Sequence, residues 1–262
     1  MLIDVHTHCF PDHLALKAIP VLAKRAGITA YANGTIEVLK KSMGCAGIDK
    51  SVILPIATKP EQTSVINRWV AGIEDSTIIP FATLHPDLDH WQEELRWIVE
   101  QGIKGVKFHP YYQDFYVDEK RMFPIYEKVF QSGLIVLFHA GIDMGFPDPC
   151  RCTPLQLKKV VEDFPGARII AAHMGGYLFW DEVEKFLVGK SLFLDTSFSF
   201  HKLGAAGMER LIQAHGAEKI LFGTDSPWTD PSKEVSQIKS LKLTDHQLDL
   251  ILGGNAQRLL KL

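Results

Sequence analysis

Short apolar runs, several of them β-branched, recur along the chain, and each gives way to a longer stretch whose apolar positions fall three and four apart. The runs predict strands at Leu2–His8, Ser51–Ile56, Ile78–His85, Gly105–His109, Leu134–His139, Arg168–His173, Leu192–Thr196 and Ile220–Asp225. The intervening stretches predict helices. Trp91–Glu100 carries the three-and-four spacing, and Pro154–Glu162 opens with proline at a first-turn position. Gly102, Gly133 and Gly166 stand just before the next run, where a helix C-terminus or tight turn wants glycine. Successive runs end 23 to 48 residues apart, room enough for a crossover helix each time. Eight strand-then-helix units in 262 residues is the arithmetic of an α/β protein built as a single (β/α)8 TIM barrel. A doubly wound open sheet alternates in the same way, so the count alone leaves it open. No stretch is rich enough in Ser, Gly or Pro to be a linker, and no internal repeat is visible. One domain over residues 1–262 is the expectation.

Composition narrows the function classes. The chain is 46% hydrophobic and 23% charged with a net charge of −3, which excludes the basic footprint of a protein held to nucleic acid by phosphate contacts. Its 26 Phe, Tyr and Trp residues exclude an aromatic-poor disordered chain. No apolar run approaches the ~18 residues that span a bilayer, and Met1-Leu2-Ile3-Asp4 lacks the basic start of a secretory leader. Four cysteines, at 9, 45, 150 and 152, are too few and too unevenly spaced for a disulfide framework. These features predict a reduced, cytoplasmic protein that acts on a small molecule, with no nucleic-acid or membrane partner.

The polar residues at strand ends carry the chemistry. His6 and His8 close the first run, and side chains two apart on a strand share a face, so both imidazoles can converge on one point. His139, His173 and Asp225 close the fifth, sixth and eighth runs. In a barrel these ends meet at one mouth, above a packed core. A lone strand-end histidine is ordinarily a hydrogen-bonded structural residue. Four strands ending in His or Asp at a common face require more, since unpaired polar groups in a dry site carry a desolvation cost. A divalent ion supplies the compensation. Zinc suits such nitrogen and oxygen ligands, and manganese or iron accepts them too.

Asp4-Val-His-Thr-His8-Cys-Phe-Pro11 resembles the D-x-H-x-H-x-x-P opening of the amidohydrolase superfamily, in particular the branch of aminocarboxymuconate semialdehyde decarboxylase and related hydrolases. Ala172-His-Met-Gly-Gly176, Phe222-Gly-Thr-Asp-Ser-Pro-Trp228 and Gly254-Asn-Ala-Gln-Arg-Leu-Leu260 are similar to that branch's later signatures, so the resemblance covers the whole chain in the family's order. It implies that His6, His8, His139 and Asp225 ligate one ion, zinc first and manganese second. His173 then lies near the metal-bound water or substrate oxygen and, with Asp225, handles protons as a catalytic residue. Asp4 either orients a ligand histidine or makes a simple strand-end hydrogen bond. Family members are often dimers, and the apolar helix faces permit a homodimer here.

Lys107 and His109 depart from the branch's pattern. They lie two apart on the fourth run and so share a face. In other branches of the superfamily a lysine on this strand is carboxylated and bridges two metals. Three readings of Lys107 stand: a bridging carbamate with a second ion, a cation gripping a substrate carboxylate, or a lysine paired with a nearby acid. Substrate binding by Lys107 and His109 is preferred. Loops after the strands set specificity in barrels of this kind, so Tyr111–Phe115 and Asp143–Pro149 can wall the substrate. Arg151 is a candidate carboxylate clamp and Trp228 a candidate pocket floor. Cys9, Cys150 and Cys152 read as ordinary reduced thiols.

Three functions compete. The first is a metal-dependent hydrolase using a metal-activated water on a small amide or lactone, a reading favoured by Lys107. The alternative is a nonoxidative decarboxylase of an aromatic or muconate-type acid, favoured by the D-x-H-x-H-x-x-P opening. A non-catalytic metal-binding barrel is the third, and the intact set of polar strand ends argues against it.

Overall fold

A computed structural model describes residues 1–146 and 149–262 and forms strands where the apolar runs predict them. They are β1 (Ile3–Thr7), β2 (Lys50–Ile53), β3 (Ile78–Pro80), β4 (Ala82–Thr83), β5 (Gly105–Phe108), β6 (Ile135–Phe138), β7 (Ile169–Ala171), β8 (Phe193–Asp195) and β9 (Ile220–Leu221). All neighbouring pairs run parallel. Every run's strand stops short of the predicted end, because the last residues of each run leave the ladder for the loops at the mouth.

The third run is split in two. β3 pairs with β2 and β4 pairs with β5, and Pro80, which has no N–H to give a ladder, stands at the break. Phe81 bridges it by donating its N–H to the Ile53 carbonyl at 3.0 Å. The two ends of the sheet then meet. Val5 donates to Phe222 at 2.9 Å, Asp225 donates to His6 at 2.8 Å, and Thr7 bridges Ser226 in parallel. That seam closes a (β/α)8 barrel and removes the open-sheet alternative.

The helices follow their local signals. Pro154–Asp163 begins at Thr153, whose side chain accepts the Gln156 N–H while the Gln156 side chain accepts the Thr153 N–H, a reciprocal cap. The long first gap holds two helices, Asp12–Ala26 and Ile36–Ala46, where the sequence pattern suggests one crossover. No helix among the described residues is long and apolar enough to cross a membrane.

Alternation along the strands sorts the apolar side chains into two buried layers. Ile135, Leu137, Ile170, Leu221 and Phe81 fall in one cluster. Val136, Phe138, Val106, Phe108 and Leu194 fall in another, together with Leu157, Val160, Leu211 and Ile212 from the helices. The second layer therefore lies between strands and helices and the first inside the barrel. Lys107 and His109 alternate with Val106 and Phe108, which turns both polar side chains inward.

Gly141, two residues past His139, has φ +85°, and a Cβ there would lie 2.1 Å from the Tyr177 amide nitrogen. Its bridge to Tyr177 fastens the loop after β6 to the loop after β7. Gly141→Ala meets both a left-handed backbone and a backbone collision. It should cost about 3 kcal/mol or more, read as a lowered urea midpoint with an unchanged slope.

Candidate metal centre

His6 and His8 come from the end of β1 and Asp225 from the turn after β9. His6 Nε2 lies 3.2 Å from His8 Nε2, and Asp225 Oδ1 lies 3.3 Å from the first and 3.2 Å from the second. Adjacent ligands around a divalent ion form a triangle of this size when each bond is ~2.1 Å long.

The other nitrogen of each ring decides what faces the triangle. His6 Nδ1 lies 2.8 Å from Asp195 Oδ2, and His8 Nδ1 lies 2.8 Å from the Leu54 carbonyl. Both partners only accept, so Nδ1 carries the hydrogen in each ring and Nε2 of the neutral ring is a bare lone pair. Two imidazole lone pairs and a carboxylate oxygen thus point at one another, an arrangement that repels without a cation and coordinates with one.

A second chain of bonds fixes His139. His173 Nδ1 donates to the Ser197 carbonyl at 3.0 Å, which leaves His173 Nε2 as an acceptor for His139 Nδ1 at 3.1 Å. His139 Nε2 is then a lone pair as well, and it is buried with no hydrogen-bond partner. His139 shares the pocket with the triangle but does not join its tight group. Its ligating atom lies within 4.8 Å of atoms from His109 and Asp143 instead. Nitrogen and oxygen donors, bare lone pairs and one orphaned imidazole together fit a divalent ion.

Burial drives the protonation of these groups. It holds His6 well below its ordinary range, and the Lys107 charge adds to the effect against Asp225. Burial pushes Asp225 up, but the surrounding imidazoles of His6, His8 and His173 outweigh it and hold the carboxyl below the usual range. His173 and Asp225 sit at φ +59° and +68°, in the left-handed region that non-glycine residues rarely adopt. Such conformations cost on the order of 1–3 kcal/mol and gather at functional sites.

His6, His8, Lys107, His109, His139, His173, Asp225 and Trp228 all line one pocket, as the sequence predicts. Arg151 is not part of that lining: it pairs with Asp114 at 2.6 Å and lies over the Tyr116 ring. Among the described residues Asp4 makes no hydrogen bond to an imidazole ring. Its oxygens accept the His6 and Thr224 amides at 3.0 Å and the Thr224 hydroxyl at 2.6 Å, which is the strand-end reading. Lys107 Nζ is buried without a hydrogen-bond partner and forms no ion pair among the described residues, so the paired-lysine reading falls. Cys9 donates to the Thr35 carbonyl, and burial pushes its thiol up to about 12, out of nucleophile range. Cys150 and Cys152 are buried, and the Cys150 thiol donates to the Gly141 carbonyl at 3.1 Å. In the loop Asp143–Pro149, residues 147 and 148 lie outside the described residues.

Sequence reasoning missed Asp195 and Ser197, and it took in Asp143 only as part of the loop after the fifth run. Asp195 ends β8 inside a predicted run, so the rule that selects Asp225 could have found it. The Ser197 hydroxyl donates to Asp195 and lies 3.0 Å from Nδ1 of both His6 and His173, a position no spacing rule reveals. Asp143 Oδ2 lies 3.3 Å from His109 Nε2.

Solved structures share the fold across the whole chain. An uncharacterised TIM-barrel protein, Bb4693 from Bordetella bronchiseptica, superposes with a TM-score of 0.78 at 20% identity, covering 99% of this chain and 98% of that one. The 5-carboxyvanillate decarboxylase LigW from Sphingomonas paucimobilis gives 0.75 at 14% identity, covering 100% and 99%. A dihydroxybenzoic acid decarboxylase from Polaromonas sp. JS666, with bound manganese and 2-nitroresorcinol, gives 0.72 at 16% identity, covering 100% and 97%. No curated protein matches the sequence. A family model described as amidohydrolase, Amidohydro_2, matches residues 3–262, and the chain belongs to that family.

Proposed function

We propose that the protein is a metal-dependent nonoxidative decarboxylase of a small aromatic or muconate-type carboxylic acid. The observation that carries this reading is the split character of the pocket. Ionisable groups gather at its floor, while Phe10, Leu22, Ile56, Ile142, Phe198 and Trp228 contribute apolar wall. The cavity is about 170 Å³, close to the ~150 Å³ that holds a benzene ring. A flat unsaturated acid suits such walls, and a carboxylate pressed against them loses hydration that the departure of neutral carbon dioxide makes unnecessary. The fold-level likeness to proteins named as decarboxylases supports the same choice and reverses the order suggested by sequence, in which hydrolysis came first because of Lys107. An unpaired lysine facing a cavity serves a decarboxylase equally, as a donor to substrate oxygen.

His6, His8 and Asp225, with His139 as a fourth ligand, would hold a divalent ion, which would supply a positive centre for substrate oxygen. Manganese is preferred to zinc on the precedent of the Polaromonas protein, and the donor set accepts either. Asp195 and the Leu54 carbonyl hold the ligand rings, and His173 holds His139. When the carbon–carbon bond breaks, its electron pair stays on the substrate carbon and carbon dioxide leaves. A proton delivered from solvent through Asp225 then takes its place. Lys107 donates to a substrate oxygen, and Trp228 walls the substrate.

Purified protein supplied with Mn²⁺ should bind close to one ion per chain. Asp195→Asn should weaken that binding by about 10–100-fold in a chelator competition; an unchanged affinity would remove Asp195 from this role. A panel of benzoic and muconic acids, lactones and anilides should give carbon dioxide from at least one acid, with Asp225→Asn slower by about 100-fold or more. Hydrolysis of a lactone or anilide without carbon dioxide release overturns the decarboxylase reading. Burial lowers the Lys107 ammonium to about 8. Its charge is present below that pH and lost above it, so KM should rise as pH climbs through about 8, and Lys107→Met should flatten that rise.

A further inference from the structure

A ligand has to pass a roof to reach this centre. His6, Lys107 and Asp225 are 1%, 1% and 8% exposed, so water barely touches the floor, and a ring-bearing acid needs a movement above it. One side of the roof is the last part of the helix Asp12–Ala26. Its Leu22 and Ala26 stand four apart, hence on one face, and line the pocket. Tyr112 and the loop after β6, with Ile142, Asp143 and Met144, line it from the other side.

The last part of that helix is a separable piece. Pro20 stands inside the helix, where it has no N–H for the Leu16 carbonyl and its ring crowds the preceding turn. The buried residues of the helix, Ala15 and Ile19, both precede Pro20, and the helix ends at Gly27 with φ +65°. Residues 21–26 thus have few buried contacts, the mark of a segment that opens locally. A second groove of about 530 Å³ lies behind them, lined by Ile19, Pro20, Ala23, Tyr31 and Val38 among others. The segment therefore divides the substrate cavity in front from open space behind. One side chain fastens it across the mouth. Arg25 Nε donates to the Gly145 carbonyl at 2.8 Å, and its guanidinium lies 4.0 Å from the centre of the Phe146 ring and 5.9 Å from that of Tyr112. Phe146 packs on Tyr112 at 4.7 Å, and Asp143 Oδ1 accepts the Gly145 N–H at 2.7 Å, so the far side is a compact anchor. Among the described residues no other hydrogen bond joins this helix to that loop.

We propose that residues 21–26 form a flap, hinged at Pro20 and latched by Arg25 to the Gly145–Phe146 turn, whose swing into the groove behind it admits and releases ligand. Leu22 and Ala26 leave the roof with the flap, which opens the cavity along one whole side. Pro20 and Arg25 themselves line no part of the substrate cavity. They act on passage and not on affinity: whatever eases opening speeds entry and exit by one common factor and leaves the equilibrium constant unchanged. The flap is independent of which bond the enzyme breaks, since any ligand of the floor crosses the same mouth.

Mn²⁺ alone serves as the probe. Stopped-flow uptake gives its entry rate, and transfer to saturating chelator gives its exit rate. Arg25→Met should raise both rates by about tenfold with Kd unchanged, the scale expected from losing one hydrogen bond and one exposed cation–ring contact. Arg25→Lys keeps the charge without the planar fork and should raise both by about threefold. Pro20→Ala returns an N–H to the helix and should slow both by about threefold. Amide exchange followed by mass spectrometry reads the flap without the ion: residues 21–26 should exchange about tenfold faster in Arg25→Met, while residues 12–19 keep the rate of the unmodified protein. Loss of the Arg25 charge by itself would speed the entry of a cation and not its exit, so a change confined to one rate overturns the latch. Unchanged rates in Arg25→Met overturn it too, as does exchange in Pro20→Ala that is no slower, or amide exchange that rises along the whole helix. Protein that takes up no Mn²⁺ removes the metal centre, and amide exchange then decides the flap. Carbon dioxide enters none of these readouts, so failure of the decarboxylase reading leaves the flap standing.

Discussion

Lone pairs aimed at one another organise the whole mouth of this barrel. His6 Nε2, His8 Nε2 and Asp225 Oδ1 crowd into a triangle with sides of 3.2 to 3.3 Å. Nothing within the triangle lets three acceptors attract, so the arrangement needs a positive charge at its centre. Each imidazole can offer one nitrogen in this way only because its other nitrogen is held as a donor elsewhere. The Asp195 carboxylate and the Leu54 carbonyl do that for the first two rings, and His173 does it for His139. Removal of one of these partners would free a ring to take the other tautomer and turn an N–H toward the centre.

Those partners tie the centre to barrel closure. The contact between His6 and Asp195 joins residues 189 apart in sequence, and that between His139 and His173 joins residues 34 apart. β1 borrows its carboxylate from β8, and the loop after β2 supplies the carbonyl for His8. Two strands suffice for His8 with Leu54 or for His139 with His173, but His6 needs β1 and β8 together, so no two-strand fragment contains all three ligands with their supports. The seam between β1 and the residues after β9 brings Asp225 beside His6 through a backbone bond as well, the Asp225 amide donating to the His6 carbonyl at 2.8 Å. A centre assembled in this way reports on the fold: it exists when the sheet is closed and not before.

Much of this was legible in the chain because strands buried on both faces must be apolar until the point where they end. A polar residue at such an end is therefore conspicuous, and that rule found His6, His8, His139, His173 and Asp225. The same rule was available for Asp195, but without a motif of its own the residue passed as an ordinary strand terminus. Arg151 shows the opposite failure. Its chemistry suits an anion, yet a loop residue has no strand to aim it, and Asp114 takes the guanidinium outside the pocket. The split of the third strand at Pro80 and the left-handed turn at His173 were hidden for another reason. Both depend on neighbouring strands that fix the backbone locally, which no periodicity records.

The floor of the pocket does not by itself choose a reaction. A cation among imidazoles and a carboxylate can activate water at a carbonyl or hold an acid while carbon dioxide leaves. The selection lies in what surrounds it. Walls formed by residues such as Phe198 and Trp228 offer water few partners near the centre, and they disfavour a substrate that must share the cavity with an attacking solvent molecule. They favour a substrate that fills the cavity itself and sheds its charge as a neutral gas. The buried Lys107 ammonium pulls the same way. A buried cation left without a hydrogen-bond partner is costly, and a substrate that brings oxygen to it recovers hydrogen bonds that water in so small a space can supply only in part. The ionisable groups at the floor thus set what chemistry is accessible, and the apolar wall above them sets which molecule meets it.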